Sequence, residues 1–393
     1  MHLAQLRARV ASRRHRLPTA CFTATVNHRQ AGDRRTLLAV LVSIFVLIPV
    51  APSARAAGGE LTVMTRNLSF GTDLGPIVAA TTEFEFVTAV AAAFTQAQAS
   101  DFPGRAKAWA DEIERARPDL IGLQEGVLWR TQTPADFLPT PNATTVEADL
   151  VALLLAELRS RGLKYEVVIA QTGYDIEAPG LFPTGLVDVR LTQREVILAR
   201  KASGLRLANA QGGQYATFVT VPTIIGVPVA LPWAWASVDV TRGGRSLRFA
   251  TTHLDPISGV AQQLQANEFL AGPGSTTLPI VWVGDFNSNA HGTVVTGVPS
   301  ATATYQSIIA SGYADAWSAR HPSNPGFTCC QAINLLNPTS TLTERVDLVL
   351  TRGPFHVGKS SLVGDEASDR LPSGLWPSDH AGVVVTLDLE NGG

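Results

Sequence analysis

Between Leu61 and Leu387 short apolar runs rich in β-branched residues alternate with stretches of helical periodicity, and nothing interrupts that alternation. A strand buries one or both faces and a helix one stripe, so alternating elements of this kind are stable only as packed α and β layers. Residues 61–66 read as a strand and 104–117 as an amphipathic helix, after which Pro118 opens a buried strand through Leu120, Ile121 and Leu123. Residues 146–161 carry a helical period, whereas 165–170 and 195–199 are β-rich. Residues 237–240 face 247–251 across Arg242-Gly243-Gly244, which reads as a hairpin. A helix over 260–270 follows, then apolar strands at 279–283, 346–350 and 383–387, of the length a covered sheet requires. No Pro/Ser linker, charge block or repeat divides the chain after Gly58. The expectation is one mixed α/β domain over residues 58–393.

The first 57 residues have a different character, with nine Arg and a single acid, Asp33. Arg34 and Arg35 precede an apolar run over 37–50, and small residues at Ala54 and Ala56 follow. A basic flank, an apolar stretch short for a bilayer and a small-residue site are the three parts of a cleavable export signal, here with the cut near Ala56 or Ala57. A retained membrane anchor is the alternative. Removing the segment leaves 22 Lys and Arg against 32 Asp and Glu, close to −10, with only four Lys. Such a body has no general affinity for polyanions, so nucleic-acid binding needs a local basic patch. Export, and hence a secreted location, also means surroundings in which thiols oxidise. Cys21 leaves with the signal, so Cys329 and Cys330 remain, adjacent in sequence. Successive Cα atoms lie ~3.8 Å apart, below the roughly 4.4 Å at which ordinary disulfides begin. The pair reads mainly as structural, with a local redox role as the second reading.

No charge occurs between Leu207 and Val238, but Pro222, Gly226, Pro228 and Pro232 argue for a hairpin rather than a spanning helix. Trp233 and Trp235 at its end read either as core or edge-strand residues or as an exposed tip making peripheral contact with a membrane.

Polar residues interrupt the apolar strands at six places: Asn67, Gln124-Glu125, His253, Asp285 with Asn287, Asp347, and Asp379-His380. Singly these are a turn residue, a helix cap, a core histidine, an Asx turn. An Asp within an apolar strand, as at 347, still needs a partner, because burying it alone costs several kcal/mol by order of magnitude. Together the six supply carboxylate and carboxamide oxygens for a hard divalent cation, and two imidazoles to carry protons or stabilise charge. Open-sheet enzymes place their sites just past strand ends in this way. No Gly-x-Ser-x-Gly elbow for a serine hydrolase is present.

In this order the motifs resemble the endonuclease/exonuclease/phosphatase superfamily, which includes pancreatic-type deoxyribonucleases, abasic-site endonucleases, bacterial sphingomyelinases and inositol polyphosphate 5-phosphatases. Asn67 resembles the early Asn, Leu123-Gln124-Glu125 the Gln-Glu motif, Thr252-His253-Leu254 the His strand and Gly284-Asp285-Phe286-Asn287 the Gly-Asp-x-Asn motif. Arg345-Val346-Asp347 and Ser378-Asp379-His380 complete the series. The resemblance implies a single-domain, two-sheet α/β sandwich with its site at one end. It implies Mg²⁺ (or Mn²⁺) on Glu125, with Asn67 and Asp379 as direct or water-mediated ligands. Asp285 would then orient or deprotonate water, Asn287 hold that water or a phosphate oxygen, and Asp347 orient His380. His380 and His253 would stabilise the transition state or protonate the leaving oxygen.

Ser69 departs from relatives that carry an acidic or amide ligand two residues after the early Asn. Arg194 reads either as a phosphate contact or as a salt-bridge residue, His291 as a loop residue and Asp255 as the turn partner of Pro256. The functional expectation is a secreted, monomeric, metal-dependent hydrolase of phosphate esters, most of all a phosphodiesterase, nuclease-like or directed at phospholipid head groups. An exported binding module that has lost catalysis on the same scaffold is the alternative.

Overall fold

Two β-sheets lie face to face in the computed structural model, which describes residues 60–138, 140–295 and 297–389. The export signal read from the sequence lies outside these residues. The first sheet runs in the order Phe355–Val363, Gly382–Leu389, Glu60–Asn67, Leu120–Gln124, Gly185–Arg200, Leu128–Gln132 and Thr145–Asp149, with Tyr165–Phe182 also paired to Gly185–Arg200. The second runs Ala314–Asp315, Asp347–Arg352, Ile280–Asp285, Arg245–His253, Ala234–Arg242 and Arg206–Gln214.

Period-two alternation sorts each strand's side chains between two cores. Val63, Leu120 and Ile197 meet Val238, Phe249, Val281 and Val349 between the sheets. Their chain neighbours Met64, Ile121 and Leu198 turn outward into a core shared with Trp109, Ile113 and Leu154 of the helices Phe102–Ala116 and Leu150–Ser160. On the other outer face Phe269, from the helix Gly259–Ala271, stacks on Trp282 with ring centroids 3.8 Å apart. The result is the expected α/β sandwich. At the seam Gly122 has no room for a side chain, since a Cβ there would come within 2.6 Å of Thr251 and Val283 atoms. This close approach lets Gln124 Nε2 donate to Thr251 Oγ1 across the sheets at 2.8 Å.

The structure departs from the sequence reading at two places. The helix expected over 146–161 starts later. Its first residues form the strand Thr145–Asp149, because they pair with Leu128–Gln132 and Asp149 caps the helix by accepting from the Val151 and Ala152 N–H groups, each at 3.1 Å. The helix Glu83–Ala99 went unread because its alanines blur the apolar stripe; Phe86, Val90 and Phe94 are its buried residues.

The structure also decides between the two readings of the tryptophans. The uncharged stretch does contain a hairpin, Val219–Val221 with Val229–Leu231. Trp233, however, is 4% exposed and Trp235 only half-buried, so they do not form an exposed tip. Trp233 closes over His253, with ring centroids 4.0 Å apart, and Trp235 meets Phe269 edge-on. The exposed apolar residues of this region are Phe218, Ile224, Ile225 and Val227. Among the described residues no helix is long and apolar enough to cross a membrane.

Candidate active site

Strand register gathers the polar residues at one rim. Asn67 and Gln124 are neighbours at the ends of parallel strands. In the second sheet His253 pairs with Asp285 and Asp285 with Asp347, so three side chains stand in one row across three strands. Gly284 makes that row possible. Its φ of 147° belongs to glycine, and a Cβ there would run into the Thr252 carbonyl oxygen. Gly284→Ala is expected to cost about 1–3 kcal/mol or more, because the obstacle is backbone and cannot swing aside. Urea denaturation with an unchanged m-value checks this.

Asn67 links the two sheets at the rim. Its Nδ2 donates to Glu125 Oε1 and to Asp285 Oδ2, each at 3.1 Å. Glu125 sits in a left-handed turn with φ 53°, and its Oε2 accepts the Phe70 N–H at 2.8 Å. Arg194 holds that turn: its Nε donates to Gly126 O at 2.6 Å while its Nη2 pairs with Asp149 at 2.6 Å. It is therefore the salt-bridge residue of the two readings. Asn287, at φ 48°, donates its N–H to Asp285 Oδ1 and its Nδ2 to Leu254 O, both at 2.9 Å.

His380 Nδ1 lies 2.8 Å from Asp347 Oδ2 and 3.8 Å from Asp285 Oδ2; His253 Nε2 lies 3.5 Å from the same Asp285 oxygen. Asp379 is half-buried, and its charge acts on Glu125 and on Arg105. All eight candidate residues thus belong to one cluster. His291 is an exposed loop residue, and Asp255 fixes its turn by accepting from the Ile257 and Ser258 N–H groups.

Three supports escaped the sequence reading. Glu195 is fully buried behind His253, 3.7 Å from its Nδ1, and Gln193 donates to it. The signal was present: a Glu leading into Val196-Ile197-Leu198 needs a partner for the same reason Asp347 does. Arg105, a buried helix residue, donates to Pro377 O at 2.8 Å, to Ser69 O at 2.9 Å and to Leu68 O, tying together the loops that carry Asn67 and His380. Arg66 pairs with Glu112 at 2.9 Å and also donates to His380 O. Nothing in an amphipathic period marks Arg105 or Glu112 as facing inward.

Burial, and then Asp379, push the Glu125 carboxyl up to about 8. Burial raises Asp285 against the pull of His253, and carries Glu195 well above the carboxylate range. The imidazoles are driven apart. Burial lowers His253 to about 4, which leaves it neutral at pH 7. Burial also opposes the charge on His380, but Asp347 and then Asp285 outweigh it and hold this ring protonated. Asp347 Oδ1 and Glu195 Oε2 accept no hydrogen bond among the described residues. Carboxyl groups therefore exceed cations here, and an oxygen-rich set of Glu125, Asn67 and Asp379 fits a hard divalent ion.

A pH dependence follows. His253 binds protons more weakly folded than unfolded, so its contribution to stability rises with pH and is complete above its ordinary value of 6.5. Glu125 and His380 bind protons more tightly folded, so their contributions fall as pH rises, for Glu125 through about 8. Without divalent ion, Tm is expected to drop between pH 6.5 and 8. Mg²⁺ should flatten the drop by favouring ionised Glu125. A calorimetric pH series with EDTA or Mg²⁺ checks both.

Two packed sheets with carboxylates, a carboxamide and imidazoles at one rim offer the groups that phosphate-ester hydrolysis requires. Residues 67–380 match the Endonuclease/Exonuclease/phosphatase family model, and the chain belongs to this family. Among solved structures, a family protein of Bacteroides thetaiotaomicron is similar at 16% identity, with TM-score 0.52, covering 85% of this chain and 99% of that one. A mannosyl-6-phosphatase of the same species is similar at 15% identity, TM-score 0.50, covering 83% and 99%. A family protein from Leptotrichia buccalis has 15% identity, TM-score 0.50, and coverage of 84% and 100%. At these identities the likeness concerns the fold. Comparison with curated proteins finds no match.

Proposed function

We propose that the chain is an exported, monomeric phosphodiesterase dependent on Mg²⁺ or Mn²⁺, directed at esters that carry an apolar group, as in phospholipids. The observation that carries the reading is the row His253, Asp285 and Asp347 facing Asn67 and Glu125, with His380 locked onto Asp347. Glu125 would hold the divalent ion, with Asn67 and Asp379 beside it, and the ion would neutralise phosphate charge and help position the nucleophile.

The chain's own groups divide the remaining work. Asp285, its pKa raised by burial, accepts a proton from the attacking water, and Asn287 orients that water or a phosphate oxygen. Asp347 holds Nδ1 of His380, leaving Nε2 to bear on the phosphate as a charged donor. Trp233, backed by Tyr174, covers neutral His253 and excludes water from that side.

An apolar substrate is supported by what adjoins this wall. Ile176, two residues on from Tyr174 in its strand, and Leu231, two residues before Trp233, line an apolar cavity with Leu74, Ile77, Phe86 and Leu191. The body's surplus of acids and four Lys support nucleic acid less well. Any lipid contact belongs to the hairpin carrying Ile224, Ile225 and Val227 rather than to Trp233 and Trp235.

The test is a panel under one Mg²⁺ concentration: sphingomyelin, phosphatidylinositol, plasmid DNA, RNA, a bis-nitrophenyl ester and its monoester. Turnover of a phospholipid and of the bis-ester above the monoester is expected. Preferred cleavage of DNA, RNA or the monoester would overturn the substrate assignment, and no turnover with any divalent ion would favour the binding module.

A further inference from the structure

We propose that Cys329, Cys330 and His380 form a thiol-gated cation site at the rim of the reaction centre, which takes a soft or borderline divalent ion of the zinc class. Only its inhibitory consequence rests on the function assigned to His380. Cys330 Sγ lies 3.9 Å from His380 Nε2, and one ligand atom from each of the three residues falls within 4.8 Å of the others. Nδ1 of the ring is engaged by Asp347, so Nε2 is the nitrogen turned to the sulfurs. A carboxylate behind the imidazole is also the usual outer partner of a metal-binding histidine.

The arrangement is anchored on both sides. The Ala381 N–H donates to Thr328 O and the Gln331 N–H to Asp379 O, each at 2.8 Å, while Cys329 N–H donates to Glu344 O at 2.9 Å. Zn–S and Zn–N bonds of about 2.3 and 2.0 Å in a tetrahedron place ligand atoms about 3.5–3.8 Å apart. The 3.9 Å between Cys330 Sγ and His380 Nε2 is already close to that spacing, and breaking the sulfur–sulfur bond frees the two sulfurs to part towards it. Three protein ligands leave the fourth position for water. Hard Mg²⁺ stays with the oxygens of Glu125, Asn67 and Asp379, so ligand chemistry keeps the two cations apart.

In the structure the two sulfurs are bonded to each other, which closes the site. A thiol reductant opens it. Two R–SH supply two electrons and two protons, the Cys329–Cys330 bond breaks, R–S–S–R forms and each Sγ becomes S–H. Binding of M²⁺ then releases those two protons and the one on Nε2 of His380, and forms two metal–thiolate bonds and one metal–imidazole bond. Cys330 is exposed, so reductant and ion reach the pair from solvent. Once filled, the site occupies Nε2 of His380 and hydrolysis stops.

Co²⁺ provides a readout independent of activity, since thiolate ligands give a near-ultraviolet charge-transfer band that oxygen ligands do not. Wild-type protein reduced with dithiothreitol, freed of excess reductant and shown folded by near-ultraviolet circular dichroism, is expected to develop this band with one equivalent of Co²⁺. The oxidised protein and Cys330→Ser are expected not to. Stoichiometric Zn²⁺ with Mg²⁺ in excess should then slow the reduced wild type about 100-fold, the loss typical when a charge-stabilising donor is withdrawn, and slow reduced Cys330→Ser far less. Absence of the band in reduced wild type, its persistence in Cys330→Ser, or loss of the fold on reduction would each overturn the site. A band without inhibition would leave the cation site standing and overturn the role given to His380.

Discussion

Removal of divalent ions with EDTA is expected to abolish phosphoester hydrolysis, and Mg²⁺ or Mn²⁺ to restore it. Glu125, Asp285, Asp347, Glu195 and Asp379 crowd one rim, where, among the described residues, His380, Arg105 and the Glu112-paired Arg66 are nearby cations. An anionic phosphate approaching that rim meets carboxyl groups and few positive charges to neutralise it. Stabilisation by a bound divalent ion is worth several kcal/mol, which makes the loss at least about 100-fold. Initial rates on a bis-ester, after EDTA and again after back-titration with each metal, measure it. Activity that survives exhaustive chelation would remove Glu125, Asn67 and Asp379 from the role of ligands.

His380→Ala and Asp285→Ala are each expected to lower kcat by at least about 100-fold. The two losses have different origins. His380 is the ring that Asp347 and Asp285 hold protonated, so its removal takes a charged donor from the transition state. Asp285 receives Asn67 Nδ2 and the Asn287 N–H and stands 3.5 Å from His253 Nε2, so its removal takes the proton acceptor and also releases three neighbours. Asp285→Asn separates these effects, because it keeps the size and loses the basicity: a deficit equal to that of Asp285→Ala assigns the role to the base. Wild-type rates in a folded His380→Ala or Asp285→Ala would take that residue out of the mechanism.

The eight candidate positions were legible because each breaks an apolar strand, and burying an isolated carboxylate or imidazole there demands compensation. Glu195 obeyed the same rule and was readable in principle. Arg105 and Glu112 were not, since a helix period shows which residues share a face but not which charged side chain finds carbonyls or a counter-ion to follow it inward. In sequence the place of Trp233 is open between two readings for a related reason. An uncharged Pro-rich hairpin with aromatic residues suits a membrane edge and a site wall equally well, and only the stacking on His253 decides.

The amino-acid order alone determined the layered α/β architecture and the set of groups available for chemistry, because strand and helix periods and the cost of buried charge are local properties of the chain. The tertiary structure decided which of those groups meet. Register aligned His253, Asp285 and Asp347, the close seam at Gly122 brought the second sheet against the first, and burial set His253 neutral while Asp347 and Asp285 kept His380 charged. These depend on distances between residues far apart in sequence, which no local pattern encodes.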